Sequence, residues 1–82
     1  MNHIMRPYVE NLPEHTSVQD LEDLFTPYGE VKSARISRVY HGGYPRGFGY
    51  VETLKQNAEI AISELNGRRI DFMVLRVGEA KT

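Results

Sequence analysis

The sequence predicts an α+β fold in which four antiparallel strands form one sheet and two helices pack on one face of it. Two stretches repeat apolar residues with helical spacing, and four shorter stretches have the composition and alternation of strands. The elements follow one another in the order β-α-β-β-α-β. This order is that of the ferredoxin-like sandwich, which leaves the second face of its sheet open to solvent or to a ligand.

The first strand and the first helix are predicted within residues 8–28. Residues 8–12 form a β-type run that Pro13 ends, and Ser17 with Asp20 then resembles a capping box. Gly29 supplies a left-handed stop, so the helix covers about residues 18–28 and Pro27 tightens its last turn. The apolar residues that share one stripe of this helix are Val18, Leu21, Leu24, Phe25 and Tyr28.

The remaining elements follow from alternation and from glycine. Residues 31–39 alternate as a second strand, the Gly42-Gly43 pair lies in a hairpin loop at 40–45, and residues 46–53 form the third strand. Residues 55–65 regain helical spacing and end at Asn66-Gly67. Residues 72–77 alternate as the fourth strand, which begins at Phe72.

Composition narrows the function classes. With 82 residues, 40% hydrophobic and 26% charged, the chain fits one domain over 1–82 with a core of about 7–81. The absence of cysteine excludes disulfides, cysteine zinc sites and thiol nucleophiles. His3, His15 and His41 are too scattered to predict a metal site, and no cofactor is expected. No apolar run would span a membrane, and we expect an intracellular monomer, cytoplasmic or nuclear.

The net charge of −1 hides an asymmetry. Residues 13–30 carry five acids and no base, whereas residues 31–50 carry four bases and no acid. If the two blocks lie on different faces, the protein has a basic side and an acidic helical face.

The third strand carries a nucleic-acid-binding signature. Residues 46–53 read Arg-Gly-Phe-Gly-Tyr-Val-Glu-Thr and match five of the seven specified positions of K/R-G-F/Y-G/A-F-V-x-F/Y, with Tyr50 a conservative sixth. Residues 8–12, with an aromatic at Tyr8, resemble the companion motif of the first strand. The chain therefore resembles the RNA recognition motif family over almost its full length. It departs from the family pattern at Thr53, where an aromatic is usual, and at Pro7, where an aliphatic is usual.

Period-two alternation predicts which residues of this strand leave the core. Arg46, Phe48, Tyr50 and Glu52 point to the open face, and Gly47, Gly49, Val51 and Thr53 point to the helices. Exposed aromatics suit base stacking, while Glu10 and Glu52 would accept hydrogen bonds from base amino groups. Together with the resemblance, this alternation predicts nine RNA-binding residues. Tyr8, Phe48 and Tyr50 would stack on bases, and Arg35, Arg46 and Arg76 would lie beside them. The other predicted RNA-binding residues are Asn11, Tyr44 and Lys81.

Single-stranded RNA is thus the expected partner, and single-stranded DNA stays an alternative ligand. Two other functions are alternatives to nucleic-acid binding. The domain could instead bind a protein through the sheet or the acidic helical face. An acylphosphatase-like hydrolase shares the topology, but the loop at 11–15 has no arginine and no glycine-rich cradle. We therefore expect no enzyme activity and assign no catalytic residue.

Overall fold

A computed structural model describes residues 3–41 and 44–79 of the chain, with the side chains of residues 3–37 and 47–79. The helices are α1 (Val18–Phe25), followed by a short 3-10 helix at Thr26–Tyr28, and α2 (Lys55–Leu65). The strands are β1 (Ile4–Met5), β2 (Pro7–Leu12), β3 (Val31–His41), β4 (Tyr44–Leu54), β5 (Arg69–Ile70), β6 (Met73–Val74) and β7 (Arg76–Glu79). The predicted ferredoxin-like fold is confirmed.

The main sheet is antiparallel, and β2 and β4 occupy its centre. β4 pairs with β3 along one side and with β2 along the other, and β2 also pairs with β7. β1 continues the register of β2 along the same side of β4, because Ile4 lies opposite Leu54 and Tyr8 lies opposite Tyr50. The sequence prediction of four strands missed this N-terminal extension, which precedes Pro7.

The core fills the space between the helices and one face of the sheet. Val9 and Val51 of the two central strands are fully buried there. The core comprises Val9, Leu12, Leu21, Phe25, Val51, Ala61, Leu65, Leu75 and Val77. Val18, which the sequence placed on the same helical stripe, is instead 43% exposed in the first turn of α1. Neither helix of the described chain is long and apolar enough to cross a membrane.

The first helix begins and ends close to the predicted residues. The Ser17 hydroxyl accepts a hydrogen bond from the Asp20 backbone N–H, and the Asp20 carboxylate accepts one from the Ser17 N–H, which completes the predicted capping box. The helix then tightens over Pro27 into the 3-10 turn. Gly29 follows with φ 142° and ψ −178°, a region open to glycine rather than the left-handed helical stop that the sequence predicted.

The segment after α2 differs from the prediction. Phe72 does not begin a strand: it lies with Asp71 in the turn between β5 and β6, and it is 98% exposed. Asp71 has a φ of 55°, so the chain reverses at this point and Ile70 pairs with Met73. The strand that joins the main sheet therefore covers Arg76–Glu79 rather than residues 72–77.

The two departures from the motif have structural roles. Thr53 is buried, and its hydroxyl donates a hydrogen bond of 2.6 Å to the carbonyl oxygen of Glu30. A buried hydroxyl is thereby satisfied on the helical side of the sheet. Pro7 is also fully buried, so it packs as an aliphatic residue would at the start of β2.

Candidate nucleic-acid interface

The open face of the sheet is formed by alternate residues of its central strands. On β4, Gly49 and Val51 are buried while Phe48 is half-buried and Tyr50 is 39% exposed. On β2, Val9 is buried and Tyr8 is half-buried. Tyr8, Phe48 and Tyr50 therefore lie on the face opposite the helices, as their period-two spacing predicts.

Strand register arranges this face in rows across the sheet. One row contains Arg35, Tyr50, Tyr8 and Gly78, and the next contains Ser37, Phe48, Glu10 and Arg76. Tyr8 lies directly opposite Tyr50, so the aromatic residues of the two central strands are neighbours. All three rings lie on the open face at the middle of the sheet, and we term this set the aromatic platform (Tyr8, Phe48 and Tyr50).

The rings of the aromatic platform have defined geometry. Phe48 and Tyr50 have ring centroids 6.1 Å apart and meet edge to face at 86°. The Tyr8 ring extends over Gly78 on β7, since a Cβ built on Gly78 would lie 3.3 Å from Tyr8 Cε1. A flat π-face of this kind accepts any nucleic-acid base by stacking.

Cationic side chains flank the aromatic platform on both outer strands. Arg35 lies opposite Tyr50 on β3, and Arg76 lies opposite Glu10 on β7. Both arginines are exposed, and among the described residues neither forms a hydrogen bond or an ion pair. Guanidinium groups in this position can pair with phosphate or stack on a base. Glu10 is exposed in the same row as Arg76, and its negative charge offsets part of the positive charge of the arginines.

At one corner of the face, Glu52 is hydrogen-bonded to Arg6 and Ser33, two residues that the sequence analysis did not predict to be part of the site. Its carboxylate accepts hydrogen bonds from the Ser33 hydroxyl and from Arg6 Nη2, the latter at 3.2 Å. The Ser33 hydrogen bond, followed by the Arg6 hydrogen bond, lowers the pKa of Glu52 below its usual range. Continuing the alternation of β2 backwards from Tyr8 would have placed Arg6 on this face.

Asn11, a predicted RNA-binding residue, lies at the end of β2 away from this corner. Its φ is 70°, and it occupies a bulge between the paired residues Glu10 and Leu12. Its side-chain amide donates a hydrogen bond of 2.9 Å to the carbonyl oxygen of Val74. This contact ties β2 to β6, so Asn11 has a structural role whatever else it binds.

Three other predicted residues can be described only in part. β4 includes the backbone of Tyr44 and Arg46, and Arg46 pairs with Val39 of β3, but the side chains of both residues lie outside the described part. Lys81 lies outside the described residues altogether. Their predicted contacts with RNA therefore stay predictions.

Comparisons with known proteins identify the family of this chain. Residues 8–76 match the family model described as "RNA recognition motif". A 28 kDa chloroplastic ribonucleoprotein of Spinacia oleracea is 40% identical over 78 residues, which cover 93% of this chain and 33% of that protein. The chain thus spans about a third of the length of that relative.

Solved structures share the fold over nearly the whole chain. The crystal structure of RNA binding protein PG1 is 37% identical, with a TM-score of 0.78 and coverage of 93% of each chain. The complex of the Sex-lethal protein with RNA is 30% identical, with a TM-score of 0.83, covering 98% of this chain and 48% of that one. The residues matched by the family model include all of β4 and all of β2 except Pro7, and the chain belongs to the RNA recognition motif family.

Proposed function

We propose that the protein binds single-stranded RNA on the open face of its sheet, with bases stacked on Tyr8, Phe48 and Tyr50. The observation that carries this proposal is the aromatic platform itself, three aromatic residues of the two central strands on the face of the sheet opposite the helices. Exposed aromatic clusters on a small domain indicate a binding site. Membership of the RNA recognition motif family supports RNA as the ligand, and a Sex-lethal complex with RNA shares the fold.

Each side chain has a role in this proposal. The three rings hold two or three bases, and Arg35 and Arg76 contact phosphates or bases at either side. Arg46, Tyr44, Asn11 and Lys81 complete the set of contacts that we propose. The domain acts by binding and not by catalysis, within RNA processing or post-transcriptional regulation.

The strength of binding follows from opposing contributions. Stacking of roughly 1–3 kcal/mol per base supplies a gross gain of about 3–9 kcal/mol over three rings. Association costs about 4–15 kcal/mol, and phosphate contacts to a weakly basic face add little. Even the most favourable combination of these figures leaves a net gain of only about 5 kcal/mol, so we expect the isolated chain to bind RNA no more tightly than micromolar, with a modest dependence on salt.

Tyr50→Ala is the sharpest test, because Tyr50 is the most exposed of the three rings and contributes nothing to the core. We expect a short single-stranded RNA to bind this variant about 1–3 kcal/mol more weakly than the parent. Phe72→Ala is the matched control, since it also removes an exposed aromatic ring, but from the β5–β6 turn. Both variants should keep the parent's circular dichroism spectrum.

Amide chemical shifts of the labelled protein provide the readout. RNA should shift residues of β2, β4 and β7 in the parent and in Phe72→Ala, and these shifts should weaken in Tyr50→Ala. Equal affinities for all three proteins, or no shifts at saturating RNA, would overturn the proposal. Shifts confined to the helices would favour the second hypothesis, a protein partner on the sheet or the acidic helical face. A matched single-stranded DNA tests discrimination at the 2′-hydroxyl.

A further inference from the structure

Beside the aromatic platform, the open face has a polar depression that includes three residues without a role in the stacking proposal, Arg6, Ser33 and Glu52. It has a volume of about 580 Å³ and is lined by Arg6, Ser33, Arg35, Tyr50 and Glu52. Glu52 lies two residues from Tyr50 on the same face of β4, about 7 Å along the strand. A base stacked on Tyr50 would therefore extend one edge into this depression, which we term the Glu52 corner (Arg6, Ser33, Arg35 and Glu52).

The groups at the Glu52 corner present a fixed pattern of acceptors and donors. Glu52 is held by Ser33 at Oε1 and by Arg6 at Oε2. An ionised carboxylate offers about four lone-pair sites, so each oxygen can accept one further hydrogen bond. Arg6 has five N–H donors, and the Glu52 contact occupies one of its nitrogens. The corner thus offers two adjacent acceptors with a cationic donor beside them.

We propose that the Glu52 corner selects guanine at the nucleotide stacked on Tyr50, an inference that rests on the proposed function. The Watson–Crick edge of guanine presents two adjacent donors, N1–H and the N2 amino group, next to the O6 acceptor. The two donors match the Glu52 carboxylate oxygens, and O6 matches the Arg6 guanidinium. Because Glu52, Arg6 and Tyr50 line the same depression, a base stacked on Tyr50 can reach both the Glu52 carboxylate and the Arg6 guanidinium.

The other bases do not match this pattern. Uracil presents one donor between two carbonyl oxygens, which an anionic carboxylate repels. Cytosine presents one amino donor next to two acceptors, and adenine presents one amino donor next to N1, which is also an acceptor. Each of these bases can offer Glu52 a single donor at most. Protonation of Glu52, which would turn one of its oxygens into a donor, is disfavoured because the hydrogen bonds from Ser33 and Arg6 lower its pKa.

The hydrogen bonds from Ser33 and Arg6 hold the Glu52 side chain in place before any ligand binds. Ser33 on β3 and Arg6 before β2 approach Glu52 from opposite sides, and Ser33 is its direct cross-strand partner. The side-chain exposures are 37% for Glu52 and 52% for Arg6, so both groups remain accessible from solvent. A ligand edge therefore meets a carboxylate already held in place, which lowers the ordering cost of binding.

The test uses the full chain and a short oligouridine in which one residue at a time is replaced. Guanosine at one position should tighten binding about tenfold over uridine, within the range that a bidentate side chain–base contact supplies. Inosine, which keeps O6 and N1–H but lacks the amino group, should recover only part of that gain. Equal affinity for guanosine, inosine and uridine strands at every position would overturn the inference, and this comparison needs no variant.

Glu52→Gln tests the residue, because the amide replaces one acceptor with a donor at nearly constant shape. The affinity ratio between guanosine and uridine strands should fall from about ten to about one. Glu59→Gln, on the exposed side of α2, makes the same charge change away from the sheet and should keep the parent's ratio. A Glu52→Gln protein that keeps the ratio would also overturn the inference.

Tyr50→Ala separates this inference from the proposed function. If the parent binds all strands equally and Tyr50→Ala weakens all of them, stacking is supported and guanine selection is wrong. If the parent binds no strand, both proposals fail. If guanosine preference is present in the parent and lost in both Tyr50→Ala and Glu52→Gln, the stacked base and the base read by Glu52 are the same nucleotide.

Discussion

The Tyr8 ring and Gly78 face each other across β2 and β7, so closely that a side chain at residue 78 would meet the ring. A Cβ built on Gly78 would lie 3.3 Å from Tyr8 Cε1 and 3.6 Å from both Cζ and the hydroxyl oxygen. The two residues are cross-strand partners on the open face. Glycine at this position therefore lets the Tyr8 ring lie over the backbone of the outer strand.

Gly78→Val should displace the Tyr8 ring without unfolding the protein. The ring is half-buried on an open face, so it can rotate away from the new methyl groups, and valine is favourable in a strand. If Tyr8 stacks on a base, we expect RNA binding to weaken by about 1 kcal/mol, which is about fivefold in Kd. Thermal unfolding and RNA titration of the same preparation check both parts.

A double-mutant cycle shows whether residue 78 acts through Tyr8. In a Tyr8→Ala background the valine has no ring to displace, so Gly78→Val should cost no further RNA affinity. An equal loss in both backgrounds would mean that the valine obstructs RNA directly. Gly78→Ala, with one methyl group, should have a smaller effect than valine in the Tyr8 background.

The sequence alone predicts which residues of β4 lie on the open face, because side chains alternate strictly between the two faces of a strand. Phe48, Gly49, Tyr50 and Val51 alternate between large aromatic and small or aliphatic residues, and only one orientation buries the valine. The helix start at Ser17 was equally predictable, since a capping box is local chemistry within four residues. In both cases the information lies within one short segment.

The features that the sequence did not predict depend on distant contacts or on very short elements. Alternation places Arg6 and Glu52 on the open face, but the contacts of Arg6 and Ser33 with Glu52 depend on the register of β3 and β4 and on the continuation of β2, which no local pattern specifies. β5 and β6 have two residues each, too few to show alternation. The turn between them depends on Asp71 at a φ of 55°, which an aspartate adopts without a distinctive sequence signal.

Gly49→Ala should destabilise the fold, although Gly49 lies within the nucleic-acid-binding signature of β4. A Cβ on Gly49 would lie 2.6 Å from Cδ2 of Leu21 and 2.8 Å from the carbonyl oxygen of Arg35. Leu21 is fully buried and the carbonyl belongs to β3, so neither can move freely. Overpacking of this kind costs about 1–3 kcal/mol.

Thermal unfolding measures this cost. We expect Tm to fall by roughly 4–8 °C for each kcal/mol in a domain of this size. Ser37→Ala, an exposed substitution on the opposite face of the sheet, is the control and should leave Tm nearly unchanged. A Gly49→Ala protein as stable as its parent would show that α1 can move away from β4, contrary to the packing described above.

Asp20 makes the stability of the first helix depend on pH. The hydrogen bond from the Ser17 backbone N–H, followed by the Ser17 side chain, holds the pKa of Asp20 below its ordinary value of 3.8. Because the pKa is lower in the folded state than in the unfolded state, the unfolded protein takes up the proton first as the solution is acidified. The stabilisation is therefore fully present above about pH 4 and is lost as pH falls through the folded-state pKa.

Asp20→Asn isolates this charge, since the amide oxygen can still accept from the Ser17 N–H. The free energy of unfolding of the parent should exceed that of Asp20→Asn near pH 7, and the difference should shrink below about pH 4. Ser17→Ala removes the hydroxyl of the cap, at a cost of about 1 kcal/mol. Denaturant titrations at several pH values measure the unfolding free energies of the parent and both variants. If the difference between the parent and Asp20→Asn stays constant down to about pH 2, the lowered pKa of Asp20 is contradicted, because a protonated Asp20 could no longer contribute its charge.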